Sequence, residues 1–127
     1  MTYCVAIAAF NAGETIADTL DSVLRQSVPP AEVWVVDDGS TDATAAIAER
    51  FGSPVHVIRQ RNAGQAIAYN KAIEASVAPI IALVDADDVW LPQKMKLQLE
   101  ALARLQAMSI VFTLHRTFRH GSDPDQS

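Results

Sequence analysis

The chain is poor in the residues that most small-protein chemistry relies on. One cysteine in 127 residues rules out an internal disulfide framework. That residue, Cys4, lies in an apolar segment with no partner nearby that would make it a nucleophile. Only three histidines occur, and none stands at ligand spacing from an acidic cluster, which argues against zinc. After the first apolar segment there is a single glycine, Gly13, in place of Gly-x-Gly-x-x-Gly, and Gly-x-x-x-x-Gly-Lys-Ser/Thr is absent throughout. A dinucleotide fingerprint and a P-loop are thereby excluded. No apolar run approaches the roughly 20 residues of a bilayer span. The N-terminus has neither the basic region nor the apolar stretch of a signal peptide. The expected compartment is the cytoplasm, with the inner face of a membrane as a peripheral station.

Positive charge is also scarce. Ten Lys and Arg face fifteen Asp and Glu, for a net charge of −5. Six of the acids fall in two short runs, Asp37, Asp38, Asp42 and Asp85, Asp87, Asp88; without them nine acids face ten bases. The acidity is local, as expected of a metal site, and a basic face for nucleic acid is not expected. Half the residues are apolar and a fifth charged, an ordinary globular composition. The length suits one domain, placed at 1–120, with a polar, disordered tail at 121–127.

Apolar runs alternate with amphipathic segments. Tyr3–Ala9, Glu32–Val36, Val55–Ile58, Ile80–Val84 and Ser109–Leu114 read as strands. Between them, Ile16, Leu20, Val23 and Leu24 recur at helical spacing, closed by Pro29-Pro30. Ser40 or Thr41 can cap a second helix ending at Gly52. A third helix runs from about Gln65 to Val77, and a fourth follows Pro92 with Met95, Leu99, Leu102 and Leu105 on one side. This order predicts an α/β protein, a Rossmann-like, mostly parallel sheet flanked by helices.

Ligands of such sheets bind beyond the carboxyl ends of the strands. The unusual polar residues all lie there: Phe10-Asn11-Ala12-Gly13, Asp37-Asp38-Gly39, Arg61-Asn62-Ala63-Gly64 and Asp85-Ala86-Asp87-Asp88. The last is the most informative. A buried strand that stops on three carboxylates within four residues needs something positive, and a hard divalent cation bridging to phosphate suits it. The plain alternative is that these aspartates only end a strand and start a helix. Asp37, Ser40 and Thr41 read equally well as turn and cap formers. Asp38, at a strand tip, can accept the imide N–H of a uracil ring. Trp90 reads as packing the loop against the core rather than as a stacking platform.

Together, Ala9-Phe10-Asn11, Asp37 to Asp42, Arg61 to Ala66 with Asn70, and Asp85 to Lys94 closely resemble the family-2 glycosyltransferases of GT-A fold, over nearly the whole chain from Tyr3 to Phe118. The resemblance implies the nucleotide-sugar-binding half of a glycosyltransferase that inverts the anomeric carbon. It implies that Phe10, Arg61 and Gly64 wall the nucleoside pocket and that Asp38 recognises the base, probed best as uracil. It implies that Asp85 lies by the ribose and metal, that Asp87 ligates Mg²⁺ or Mn²⁺ directly, and that Asp88 supports the loop. The family often has Pro-x-Tyr-Asn where this chain has Ala8-Ala9-Phe10-Asn11, which loses a hydroxyl and keeps the ring. The family's acceptor half, with its catalytic base, lies beyond the last residue here, so no base is visible and the acceptor, whether glycan, lipid or other, is unnamed. A non-catalytic nucleotide-sugar-binding module and a Mg²⁺-dependent phosphohydrolase stand as competing readings. Ser109–Leu114 is expected to be an exposed edge strand that pairs two copies into a homodimer, with Met95, Leu99 and Leu102 adding contact area.

Overall fold

The computed structural model describes residues 2–104. Four strands form one sheet, β1 (Tyr3–Ala9), β2 (Glu32–Asp38), β3 (Val55–Gln60) and β4 (Ile80–Asp85). All pairings are parallel and the order is β3-β2-β1-β4. Four helices alternate with them, α1 (Ile16–Leu24), α2 (Thr44–Glu49), α3 (Gln65–Ala75) and α4 (Lys94–Ala103). The fold is the predicted α/β sheet. The fifth expected strand, Leu105, the tail and the dimer edge lie outside the described residues.

The pleat sorts β1 onto two faces. Tyr3, Val5, Ile7 and Ala9 pack with Ile16, Leu20 and Val23 of α1, Ala48 of α2, and Met95 and Leu99 of α4. Ala6, on the opposite face, meets Val36 and the small side chains Ala68 and Ala72 of α3. Among the described residues, three helices thus cover one face and α3 alone covers the other. Alanines at that second contact let α3 lie close to the sheet.

The boundaries differ from the expected ones where polar residues take over. β2 and β3 each run two residues past their apolar stretches, because backbone pairing continues through Asp37↔Arg59 and Asp38↔Gln60. α2 begins at Thr44 rather than beside Ser40 or Thr41. Those two residues are engaged elsewhere, and it is the Asp42 carboxylate that accepts the Thr44 N–H at 3.0 Å. α3 stops at Ala75, where Ser76 donates to Glu32 Oε1 at 3.0 Å; Pro79 further disfavours helix at Ala78. α1 ends at Leu24, ahead of the two prolines. Met95 and Leu99 are buried at 2% and 8% exposure, so they belong to the core and offer no area to a dimer.

Candidate functional site

The carboxyl ends of β1, β2 and β4 open into a cleft of about 730 Å³. Phe10, Asn11, Asp38, Gly64, Gln65, Asp85 and Asp87 line it, with Glu14, Thr15, Asp42 and Asn62. Of the residues expected from the sequence, Phe10, Asp38, Gly64, Asp85 and Asp87 therefore meet at one cavity. Arg61 does not: it is exposed and stands outside the lining. Phe10 is 53% exposed on the rim, held there by Asn11, whose φ of 48° is left-handed. Asn11 sustains that conformation through two cross-loop bonds, accepting Thr41 N–H on its Oδ1 and donating its own N–H to Ser40 Oγ, both at 2.8 Å.

The two acidic runs part company. Asp37 accepts the Ser40 N–H at 3.2 Å and a short bond from the Ser40 hydroxyl. Asp42 accepts the Gly13 N–H at 2.9 Å as well as the Thr44 N–H and hydroxyl. The Thr44 hydroxyl and the Gly13 N–H hold the Asp42 carboxyl below its usual range. Asp42 ties the β1–α1 loop to the β2–α2 loop, Asp37 closes the turn at Ser40 as its turn-forming reading had it, and among the described residues neither joins the Asp85–Asp87–Asp88 group.

Asp38 is also committed. It is 5% exposed, and the β3–α3 loop closes over it. Its Oδ1 accepts the Ala63 N–H at 2.7 Å and the Gln60 amide at 2.8 Å; its Oδ2 accepts the Gly64 N–H at 3.1 Å and the Asn62 amide at 3.3 Å. Burial pushes the Asp38 carboxyl up, but the donors from Ala63, Gln60 and Gly64 outweigh it and hold it below the ordinary range. The carboxylate at this strand tip is thus engaged by Gln60 of β3 and by the β3–α3 loop. Gly39, at φ 82°, lets that loop approach, since a Cβ there would meet the Asn62 nitrogen at 2.7 Å. The Oε1 of Gln60 is buried without a partner among the described residues.

Asp85, Asp87 and Asp88 each present a carboxylate oxygen within 4.8 Å of the others, and all three are exposed, with Asp85 and Asp87 lining the cleft. The Asp88 N–H closes the turn on the Asp85 carbonyl at 3.1 Å. Three carboxylates with no nitrogen or sulfur donor form a hard, all-oxygen set, the chemistry that suits Mg²⁺ or Mn²⁺. Asp85 is held from α3: the Tyr69 hydroxyl lies 2.7 Å and the Gln65 amide 2.8 Å from the same oxygen, Oδ1. Burial, then the Asp85 charge, pushes the Tyr69 phenol far up, so it stays protonated as a donor.

The loop that carries this cluster is gripped by α1. Thr15 and Thr19 both donate to the Ala86 carbonyl at 2.9 Å. Ser22 Oγ accepts the Trp90 N–H at 3.0 Å. Gln26 donates to the Leu91 carbonyl at 2.8 Å and accepts the Met95 N–H at 3.0 Å. Trp90, 7% exposed, joins the core, as its packing reading required, and Lys94 sits 4.3 Å over its ring. The sequence reading missed this polar stripe. Its signal was present: Thr15, Thr19, Ser22 and Gln26 follow helical spacing beside the apolar stripe of the same helix.

Comparisons with known proteins agree with the fold. A family model described as "Glycosyl transferase family 2" matches residues 4–125. The succinoglycan biosynthesis protein ExoU of Rhizobium meliloti is 41% identical over 96 residues, 72% of this chain and 28% of that protein. The structure of S. aureus TarS 1–349 in complex with UDP superposes with a TM-score of 0.74 at 27% identity, covering 82% of this chain and 32% of that one. The mannosyltransferase PcManGT of Pyrobaculum calidifontis, in complex with GDP-Man and Mn²⁺, gives a TM-score of 0.64 at 28% identity over 69% of this chain and 28% of that one. The chain spans between 25% and 38% of the length of the curated relatives it matches.

Proposed function

The chain belongs to glycosyl transferase family 2, and on that premise we propose that it binds a nucleotide-diphosphate sugar through a divalent cation, for inverting transfer of the sugar to an acceptor. The observation that carries the reading is the convergence of the Asp85 and Asp87 carboxylates, from the Asp85–Asp87–Asp88 group, with Phe10 and the Asp38-anchored loop on one cleft. Asp87 and Asp85 hold Mg²⁺ or Mn²⁺, as the all-oxygen donor set suits; Asp88 braces the turn. When bound, the cation neutralises the diphosphate and stabilises it as a leaving group. Phe10 offers a ring to the nucleoside, and Asp38 shapes the far wall by fixing Ala63 and Gly64. Uracil is the proposed base, supported by the TarS complexes with UDP and UDP-GlcNAc, while Mn²⁺ in PcManGT supports the cation. The general base and the acceptor site belong, in this reading, to sequence that the longer relatives have in addition. A phosphohydrolase is set aside by the family match.

Calorimetric titration of UDP into the chain, with Mn²⁺ and with EDTA, tests the reading. Binding is expected only with the cation, and Asp87→Asn should abolish it while leaving the circular dichroism spectrum unchanged. Equal affinity in EDTA, or in the Asn variant, would sink the metal-bridged site. Tight binding of GDP over UDP would sink the uracil assignment alone.

A further inference from the structure

An exposed aspartate at the end of a strand has several rotamers within reach, yet a ligand to a hard cation must present its oxygen in one. Asp85 is exposed, and two side chains of α3 converge on it. Gln65 and Tyr69 are one helical turn apart, so both face β4. Their donors reach the same atom, Oδ1, at 2.8 and 2.7 Å. Ala68 and Ala72, fully buried on the sheet, seat the helix that carries them. The Tyr69 ring packs at the margin of that contact, and its hydroxyl also lies 3.0 Å from the Val84 carbonyl, at the root of the same aspartate.

Resting on the donor-site reading above, we propose that Tyr69 and Gln65 are positioning residues that pin Asp85 through Oδ1 and thereby present Oδ2 to the divalent cation. Both donors are neutral. A lysine or arginine at either place would fix the carboxylate equally well but cancel the charge a cation needs. Two neutral donors orient Asp85 and leave the cluster anionic. The backbone on the other side of Ala86 is pinned by Thr15 and Thr19, so the two proposed ligands, Asp85 and Asp87, flank a fixed point.

The competing account is a plain staple between α3 and β4, and it predicts a different readout. Mn²⁺ alone is titrated into the full 127-residue chain and free Mn²⁺ is followed by electron paramagnetic resonance; uridine, which lacks phosphates, is titrated separately by NMR. Tyr69→Phe keeps the packed ring and removes only the donor; Gln65→Met keeps the length and removes the amide. Each should weaken Mn²⁺ binding about tenfold, as loss of an outer partner of a metal ligand does, with uridine affinity unchanged. Mn²⁺ affinity within twofold of the unsubstituted chain in both variants would overturn the proposal and leave the donor site standing. Equal losses for Mn²⁺ and uridine would overturn it as general disruption. An unsubstituted chain that binds no Mn²⁺ would overturn the donor-site reading and this proposal with it.

Discussion

Replacing Asp38 by alanine separates two roles that one carboxylate can play. The side chain accepts from Ala63 and Gln60 at 2.7 and 2.8 Å and more loosely from Gly64 and Asn62 at 3.1 and 3.3 Å. A hydrogen bond to a charged acceptor contributes about 1.5–3 kcal/mol, and two close ones set the scale. Ala63 and Gly64 are exposed, so their freed N–H groups can turn to water, which lowers the cost. Gln60 cannot: its Oε1 already lacks a partner among the described residues, and losing Asp38 strands the rest of its amide. The net expectation is about 3 kcal/mol, which for a domain of this size lowers the melting temperature by roughly 10–20 °C. Thermal unfolding by circular dichroism measures it. Limited trypsin digestion adds a local probe, because cleavage after Arg61 should accelerate once the loop is released. Asp38→Asn, which keeps one oxygen, should recover part of the loss. A melting temperature within 2 °C of the unsubstituted chain, together with a collapse of nucleotide affinity, would refute the anchoring argument and return Asp38 to the base.

Three other outcomes follow from the same geometry. Phe10→Ala, at a rim residue 53% exposed, should leave stability unchanged and weaken UDP by about 1 kcal/mol, the lower range for base–aromatic stacking; calorimetry reads it, and unchanged affinity removes Phe10 from the nucleoside wall. Gln26→Ala loses two bonds to the β4–α4 loop from a residue 4% exposed and should cost about 2–3 kcal/mol, seen as a lower urea midpoint. For pH, Asp38 and Asp42 are held below the ordinary carboxylate range, so the folded state binds protons less readily than the unfolded one. Their stabilisation is complete above the unfolded value of about 3.9 and is lost as pH falls through their lower folded values. Acid unfolding of Asp38→Ala should therefore show a shallower slope below about pH 4, and an identical slope would remove Asp38 from the linkage.

Features confined to neighbouring residues were the legible ones. β1 occupies the segment expected from its apolar run, and Asp85 to Asp88 announce themselves because three charges stand together in the chain. The four strands and four helices within the described residues are right in kind, and errors fall at their ends. What was not legible depends on which strands adjoin. That Asp38 is saturated follows from β2 lying beside β3, which places Gln60 and the Ala63–Gly64 amides over it. That Asp42 ties two loops follows from β1 lying beside β2, which brings Gly13 within reach, whereas the Asp37–Ser40 turn is local. The roles of Gln65 and Tyr69 need α3 to cross to β4, twenty and sixteen residues away. Met95, Leu99 and Leu102 formed a stripe that could face either a core or another copy of the chain, and spacing alone does not choose.

The polar stripe of α1 has a consequence for how the cluster can vary. Its bonds into the loop end on main-chain atoms, the Ala86 and Leu91 carbonyls and the Trp90 and Met95 amides. The path of the loop is thus written in a helix and its flanks some seventy positions upstream. A library randomised at the exposed Asp87 should therefore return mostly folded variants, and those without a carboxylate there should lose cation-dependent UDP binding. Randomising Thr15, Thr19, Ser22 and Gln26 instead should return mostly unfolded ones.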